Sequence, residues 1–273
     1  MWDFDDLDSS ESRFRALLDG DGAAVDRAGV LTQLARIEGL RGRFPQGELL
    51  LAQAEAAGGA DGWVAIERGR LLRSSGDEAG AAPLFEAAFE RALEAGDGFL
   101  AGDAAHMAAL VGDAEARTAR GVELARRWDD PGARYWLGPL LNNIGWRRFE
   151  SGDVAGALVA FEEALRVRSD EPERPYAREV ARYAVGKALR ALGRLDEATR
   201  QLEAAVAWAD EAGVEDPYFY EELAECYAAT GQPDAACAQA RRALEALNND
   251  AESSKRVERL HALSGDREVP GNA

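Results

Sequence analysis

Histidine and cysteine, which often carry nucleophilic, acid–base or metal chemistry, are scarce in this sequence, with two of each among 273 residues. His106 and His261 lie far apart, and Cys226 and Cys237 are too few for a disulfide framework. The sequence contains no HExxH, GxSxG, P-loop or CxxC pattern. Acidic pairs recur throughout a chain with 50 Asp and Glu residues, so they single out no catalytic dyad. We therefore expect neither an enzyme nor a cofactor or metal site.

Positive charge is also in short supply, because 32 Lys and Arg stand against 50 Asp and Glu, for a formal net charge of −18. Nucleic acids and anionic membranes are bound mainly through cationic side chains, so this balance argues against both partners. No apolar run approaches the roughly 18 residues of a membrane span. The acidic start MWDFDDLDSSE has no secretory leader pattern. The expected location is the cytoplasm, and the Ala-, Arg-, Gly- and Asp-rich composition is typical of GC-rich bacterial genomes.

Regularly spaced glycines are the most informative feature that is present. Each ends one apolar stretch of helical periodicity and precedes another, at intervals of 34 to 41 residues. Such a period is the signature of a helical repeat array. Glycine suits these positions because it adopts the left-handed conformation that ends a helix. The six are Gly42, Gly76, Gly112, Gly152, Gly193 and Gly231.

The clearest unit reads LLNNIGWRRFESGDVAGALVAFEEAL, with Gly145, Gly152, Ala157 and Phe161 in fixed order. It resembles the tetratricopeptide repeat, which has a small residue at position 8, glycine at 15, alanine at 20 and an aromatic at 24. The resemblance implies an all-α fold, a right-handed α-solenoid of about six helix-turn-helix hairpins with capping helices at both ends. It also implies that positions 8 and 20 face each other, while position 24 fills the space between neighbouring hairpins.

The repeats and their caps account for nearly the whole chain. We place the repeats near residues 28–61, 62–95, 98–131, 138–171, 179–212 and 217–250. The third fits least well, because Arg117 and Gly121 stand where alanine and an aromatic belong. Residues 1–27 are expected to form an acidic segment and a capping helix, SRFRALLD, whose N-cap is Ser10, and residues 251–273 a second capping helix with a frayed tail. A terminal repeat needs such a cap because it has no neighbour to bury its apolar surface.

The resemblance further implies a binding surface, since the first helix of each tetratricopeptide repeat lines a concave groove. Positions 2, 5, 9, 12 and 13 point into that groove. Carried over to this sequence, the selected groove residues are Arg36, Trp63, Arg70, Arg73, His106, Asn142, Trp146, Tyr183, Lys187, Arg190 and Tyr218. Arginine and large aromatics are the residues that dominate binding energy at protein interfaces. The family's clamp for the acidic tail of a chaperone is not reproduced in any three consecutive repeats.

The leading hypothesis is a non-catalytic adaptor or scaffold that binds an extended peptide or protein tail. Residues 142–190 are its sharpest candidate site, with Asn142 on a backbone amide of the ligand and Lys187 and Arg190 on an acidic group. On this hypothesis, replacing all three by alanine weakens binding and leaves the fold intact. A self-associating structural protein, such as a homodimer, and a peptide or small-ligand sensor are the alternatives.

Two packing interpretations of the groove residues remain open. In one, Trp146 and Phe149 pack against the first helix of the adjacent repeat instead of facing a ligand. In the other, Arg70 and Arg73 pair with Glu67 or Glu78 at the surface, where ion pairs contribute little.

Overall fold

Helices and the short connections between them make up all the residues that the computed structural model describes. These are residues 2–4, 6–19, 26–111, 114–247 and 254–265. The chain divides into two compact units, Met1–Leu140 and Leu141–Ala273. The predicted all-α repeat fold is therefore confirmed.

Unit 1 consists of a short first helix, three helical hairpins and the first part of an eighth helix. Its helices are α1 (Leu7–Asp19), α2 (Arg27–Leu40), α3 (Phe44–Ala57), α4 (Asp61–Ser74), α5 (Glu78–Ala95), α6 (Gly98–Ala109) and α7 (Ala114–Arg127), followed by the first part of α8 (Pro131–Glu150). Its core contains Leu31, Ala35, Leu51, Val64 and Leu71, all buried where α2, α3 and α4 meet.

Unit 2 begins within α8 and continues with paired helices. These are α9 (Val154–Ser169), α10 (Pro175–Ala191), α11 (Leu195–Ala212), α12 (Pro217–Ala229), α13 (Pro233–Ala246) and α14 (Ser254–Ser264). A single apolar cluster runs through it, from Phe161 on α9 through Leu202 on α11 to Leu260 on α14. Small alanines between these large side chains allow the helices to approach closely.

The turn glycines have the conformation that the repeat requires. Gly42, Gly76, Gly152, Gly193 and Gly231 all have positive φ, and Gly112 lies outside the described residues. At Gly152 φ is 90°, and no atom lies within 4 Å of the place where a Cβ would stand. The constraint at this turn is therefore the backbone conformation and not the space available.

The small residue at position 8 packs against the large residue at position 24 of the same hairpin. A Cβ added to Gly69 would lie 2.6 Å from Phe85, and one added to Gly186 would lie 2.7 Å from Leu202. Phe85 and Leu202 occupy position 24 of the same repeats. The expectation that position 8 faces position 20 is therefore incomplete, because position 24 of the same hairpin fills the space that the small residue leaves.

The third repeat keeps this contact, but with small residues at both positions. Here Ala105 stands at position 8 and Gly121 at position 24, and a Cβ on Gly121 would lie 2.7 Å from that of Ala105. Two pockets of 420 Å³ and 210 Å³ lie along α7, and both are lined by Phe89 and Arg120.

The first capping helix starts earlier than the sequence suggested. It begins at Leu7, and Asp6 accepts a hydrogen bond from the backbone N–H of Ser9 at 2.9 Å. Ser10 is buried inside the helix, where its hydroxyl donates to the carbonyl oxygen of Asp3 at 2.9 Å. The expectation that Ser10 caps the helix is therefore wrong, since Asp6 takes that role.

Candidate functional site

All eleven residues of the predicted groove lie on the first helices of their hairpins. Unit 1 carries five of them on α2, α4 and α6, namely Arg36, Trp63, Arg70, Arg73 and His106. Unit 2 carries the other six on α8, α10 and α12, namely Asn142, Trp146, Tyr183, Lys187, Arg190 and Tyr218. Within each unit, charged side chains form one group and aromatic side chains another.

Four charged side chains from three helices meet in unit 1. Arg70 donates to Glu67 and, at 2.6 Å, to Oδ1 of Asp103, while Nη1 of Arg36 lies 3.6 Å from Oε1 of Glu67. The Glu67 side chain is 1% exposed and that of Asp103 is 3% exposed, whereas Arg36 keeps 27% of its side chain in solvent. Arg70 does pair with Glu67, as one packing interpretation held, but the pair is buried and not at the surface.

Burial is the largest influence on the ionisation of this charged group. It raises the pKa of Glu67, although Arg70 and Arg36 act in the opposite direction. Burial also lowers the pKa of Arg36, and repulsion from Arg70 adds to the effect. For Arg70, burial acts to lower the pKa, but attraction to Glu67 and Asp103 outweighs it and raises the pKa. The positive charge of Arg36 is therefore the less well compensated of the two.

A pocket of 470 Å³ opens beside this charged group, between α2 and α4. Arg36, Arg70 and Arg73 line it together with Ser74 and, from α6, Met107. The Nε of Arg73 is buried and has no hydrogen-bond acceptor among the described residues. We call this site the arginine pocket. Its polar lining consists of the three guanidinium groups, the hydroxyl of Ser74 and the buried carboxylate of Glu67, whose Oε2 has no donor among the described residues.

Aromatic rings form the second group of unit 1. Phe99 lies 6.1 Å from Trp63, 5.3 Å from Tyr135 and 5.6 Å from Trp136, measured between ring centroids. These four residues form the aromatic cluster, and Phe99 is 37% exposed. Tyr135 and Trp136 stand near the start of α8, outside the groove positions of the repeat register, so sequence reasoning missed them.

His106 connects the charged and aromatic groups of unit 1. Its ring centroid lies 5.3 Å from that of Trp136. Burial lowers its pKa from 6.5, Arg70 and Arg73 lower it further, and Asp103 opposes them. His106 is therefore mainly neutral at pH 7 and adds little positive charge to this surface.

In unit 2, Trp146 lies among aromatic neighbours. Its ring centroid is 5.9 Å from Phe149, 5.0 Å from Phe161 and 6.2 Å from Tyr183. The contact with Tyr183 on α10 agrees with the interpretation that Trp146 packs against the adjacent first helix, and Phe161 adds a contact within its own hairpin. Oδ1 of Asn142, one turn earlier on α8, is buried without a donor among the described residues.

Lys187 and Arg190 already have a carboxylate partner inside the protein. Both donate to Glu222 on α12, Lys187 from 3.0 Å, and the Glu222 side chain is only 3% exposed. Burial acts to lower the pKa of each cation, but the attraction of Glu222 outweighs it and raises both. Removing the two cations would leave a buried carboxylate uncompensated. We therefore expect the alanine triple variant to lose stability, contrary to the expectation of an intact fold.

The C-terminal helix α14 contributes charge to the last hairpin. Arg256 donates to Glu221 at 2.5 Å, and its guanidinium lies 4.1 Å from the ring centroid of Tyr218. Arg259 donates to Glu225 at 2.7 Å. Helix α12, the first helix of the last hairpin, therefore has charged partners on α14.

The ion pair of Arg70 with Asp103 and that of Lys187 with Glu222 share one regularity. Arg70 and Asp103 are 33 residues apart, and Lys187 and Glu222 are 35 residues apart. Each pair joins position 9 of one repeat to position 6 of the next repeat. Sequence reasoning considered position 9 but not the acids at position 6. A cation at position 9 and an acid at position 6 of the next repeat were the signal that would have revealed the pairs.

Neither metal-binding clusters nor membrane spans occur in the described part of the chain. It contains no group of three or more His, Cys, Asp or Glu side chains placed to hold a metal ion. None of its helices has both the length and the apolar character needed to cross a bilayer.

Comparison with known sequences gives no assignment. No family model matches the chain, and no curated protein matches it.

Comparison with solved structures does identify the fold. The chain is similar to a signal transduction ATPase with a tetratricopeptide repeat sensor from Pyrococcus horikoshii, at a TM-score of 0.70 and 15% identity over 93% of this chain and 41% of that one. It is similar to the apo quorum sensor NprR from B. thuringiensis, at a TM-score of 0.58 and 12% identity over 96% of this chain and 82% of that one.

A third similar structure is the APC/C hetero-tetramer Cut9–Hcn1, at a TM-score of 0.56 and 15% identity. The match covers 93% of this chain and 46% of that one, so the chain spans less than half the length of two of the three proteins. At these identities the likeness concerns the fold. The chain has the tetratricopeptide-repeat fold.

Proposed function

We propose that this tetratricopeptide-repeat chain is a non-catalytic interaction scaffold that binds an extended segment of a protein partner on the first-helix surface of unit 1. The observation that carries the proposal is the aromatic cluster around Phe99, which presents a partly exposed ring on the same helices that line the arginine pocket. An apolar anchor beside guanidinium groups is the combination typical of binding hot spots.

The partner is expected to bring an apolar side chain and an acidic group. The aromatic cluster offers the apolar contact, because aromatic pairs bind further rings and aliphatic groups through offset or edge contacts. The donors of the arginine pocket suit the acidic group. In unit 2 the proposed contribution is smaller. Tyr218, at 45% exposed, is its most accessible predicted groove residue, while Lys187 and Arg190 are engaged with Glu222.

A reducing compartment such as the cytoplasm fits the two cysteines. Cys226 is buried, and burial raises the pKa of its thiol to about 11. Cys237 donates its S–H to the carbonyl oxygen of Ser264 at 3.0 Å. Both serve as packed thiols in this proposal, consistent with reducing surroundings.

The experiment is an affinity capture from lysate of the native host with three baits, followed by measurement of the dissociation constant for each captured protein. The baits are the wild type, Phe99→Ala and Leu49→Ala. Leu49 is the matched control, since it is an apolar side chain, 65% exposed, on the second helix α3. Phe99→Ala should weaken binding about tenfold or more, as hot-spot truncations do.

The outcome depends on the difference between the two variants. A protein that binds the wild type and Leu49→Ala alike but loses affinity for Phe99→Ala supports the proposed surface. Equal affinities for all three baits would show that the partner binds elsewhere. Circular dichroism spectra of the variants control for folding.

A small-ligand sensor is the second candidate function, because the arginine pocket has a volume of 470 Å³, within the range of small-molecule sites. Two of the similar structures are named as a sensor-bearing ATPase and a quorum sensor. A low-molecular-weight extract that raises the melting temperature of the wild type, but not of Arg73→Gln, would favour this candidate. Light scattering of the same samples tests self-association as a homodimer.

A further inference from the structure

Helices α5 and α7, the second helices of the second and third hairpins, form a pocket away from the first-helix surface. It has a volume of 420 Å³, within the range of small-molecule sites, and we call it the α5–α7 pocket. Each helix contributes two apolar side chains one turn apart, namely Phe89 and Leu93 on α5, and Leu124 in the last turn of α7 with Trp128 directly after it. The backbone N–H of Trp128 donates to the carbonyl oxygen of Leu124 at 2.9 Å, so these two side chains share one face of the helix.

The apolar side chains of the α5–α7 pocket keep surface for a ligand. Phe89 is 3% exposed, whereas Leu93, Leu124 and Trp128 are half-buried. The guanidinium of Arg120 lies 4.2 Å from the ring centroid of Phe89, and the same two residues line the neighbouring pocket of 210 Å³. Arg120 and Phe89 therefore separate the two pockets, and the larger one has half-buried apolar groups on both of its helices.

The charged groups of the α5–α7 pocket already have partners on the protein. Arg120 donates to Glu90 at 2.7 Å, and Arg127 pairs with Glu123 at 2.8 Å. The two guanidinium groups are thus balanced by two carboxylates. Among the described residues, the buried polar atoms without a hydrogen-bond partner all lie outside this pocket. The pocket therefore holds neither an excess charge nor a buried polar group that needs a ligand atom.

We propose that the α5–α7 pocket binds an uncharged apolar small molecule, such as a compound with fused aromatic rings. This goes beyond the proposed function, because the pocket lies on other helices than the surface assigned to the partner segment.

The balance of charge selects a neutral ligand. An anion would meet the carboxylates of Glu90 and Glu123, and a cation would meet the guanidinium groups of Arg120 and Arg127. Neither would find a free counter-charge, and taking a charge out of water without one is costly. The apolar side chains supply the attraction, because burial of apolar surface is favourable and aromatic rings pack well on other rings.

The test uses probes of similar shape and different charge, namely naphthylmethanol, naphthoate and naphthylmethylammonium. NMR of the full chain follows the methyl signals of leucine and the indole N–H signals of tryptophan while each probe is added. We compare the wild type with Leu124→Gln, which makes one wall of the pocket polar, and with Leu93→Gln, which does so from the opposite helix. Leu165→Gln is the matched control, because Leu165 is also a half-buried leucine on a second helix, α9. The methyl signals of unit 2 control for folding of the two pocket variants.

Naphthylmethanol should shift the signals of Leu93, Leu124 and Trp128 and reach saturation. Naphthoate and naphthylmethylammonium should each bind about tenfold more weakly, because their charge has no free partner in the pocket. Leu124→Gln and Leu93→Gln should each weaken the binding of naphthylmethanol about tenfold through loss of apolar contact, and Leu165→Gln should leave it unchanged.

Shifts that rise linearly without saturation, or equal weakening by Leu124→Gln and Leu165→Gln, would overturn the inference. So would tighter binding of either charged probe than of naphthylmethanol. Saturation at the indole signals of Trp63 and Trp136 with Trp128 unaffected would also overturn it, since the probe would then lie in the aromatic cluster.

A protein occupant of the α5–α7 pocket gives a different result. If a captured partner loses affinity for Leu124→Gln but not for Leu165→Gln, the pocket takes an apolar side chain of that partner and the small-molecule assignment is wrong. Dependence of capture on Phe99 is a separate result, which bears only on the proposed partner surface.

Discussion

The pairing of Lys187 and Arg190 with Glu222 predicts a strong asymmetry in stability. Glu222 has a side chain only 3% exposed, while those of Lys187 and Arg190 are 28% and 31% exposed. If both cations are replaced by methionine, the carboxylate stays buried without a counter-charge. If Glu222 is replaced by glutamine, the two cations can turn toward water. The two changes break the same ion pairs, but they leave very different groups behind.

The magnitudes follow from that difference. Leaving one partner of a buried ion pair uncompensated costs about 3–5 kcal/mol, so the double variant Lys187→Met and Arg190→Met should lose that much. Glu222→Gln keeps the side-chain shape and loses charge-assisted hydrogen bonds to partly solvated cations, which costs about 1–2 kcal/mol. Since domains are stable by about 5–15 kcal/mol in total, only the double variant should come close to unfolding at room temperature.

Urea unfolding of the full chain, followed by circular dichroism and tryptophan fluorescence, measures both effects. Adding Glu222→Gln to the double variant should restore most of the lost stability, because the buried charge is then absent. Arg194→Met is the matched control, since Arg194 pairs with Glu197 on the surface, and no change in the unfolding midpoint is expected. A double variant no less stable than Glu222→Gln would refute the reasoning and show that solvent reaches Glu222.

Three further predictions concern other residues. Phe161→Ala should cost about 3–5 kcal/mol in urea unfolding, because Phe161 is fully buried against Gly145; a loss below 1 kcal/mol would mean that the hairpin repacks. Gly152→Ala should lower the free energy of unfolding by about 1 kcal/mol or more, because alanine is strained at φ 90°, and an unchanged value would contradict that cause. Burial raises the folded-state pKa of Glu67 above 4.5, so its contribution to stability is complete below about pH 4.5 and is lost as pH rises through the folded value. Glu67→Gln should therefore gain stability relative to the wild type between pH 4.5 and 7.5, and a relative loss would show that Arg70 and Arg36 dominate.

The repeat architecture could be predicted because it depends on local, periodic constraints. Turn glycines such as Gly152 and small residues such as Gly145 are set by backbone conformation and by close approach within one hairpin. Both recur at a period that is visible in the sequence. The start of α1 was misplaced because Asp6 and Ser10 are both acceptable caps by residue type, and only packing decides between them.

The candidate site was predictable only in part. The register placed Arg36, Arg70 and Arg73 on the correct helices, but it did not indicate that Glu67 and Asp103 would compensate two of them. Such pairing depends on distances between successive hairpins, which the repeat period sets only approximately. The sequence-based site at residues 142–190 was chosen for its cations, and those cations have their carboxylate partner inside unit 2.

The participation of Tyr135 and Trp136 was not predictable from the register either. They lie at the start of α8, which begins earlier than the fourth repeat was expected to begin at residue 138. The earlier start places both rings against Phe99.

Hydrogen exchange of the full chain with and without its captured partner tests the central claim most directly. The account predicts that binding slows exchange in α4 and α6, the first helices that carry Trp63, Arg70 and Phe99, and leaves α3 and α5 unchanged. Protection confined to the second helices α3, α5 and α7 would contradict the claim that the first-helix surface of unit 1 is the interaction site.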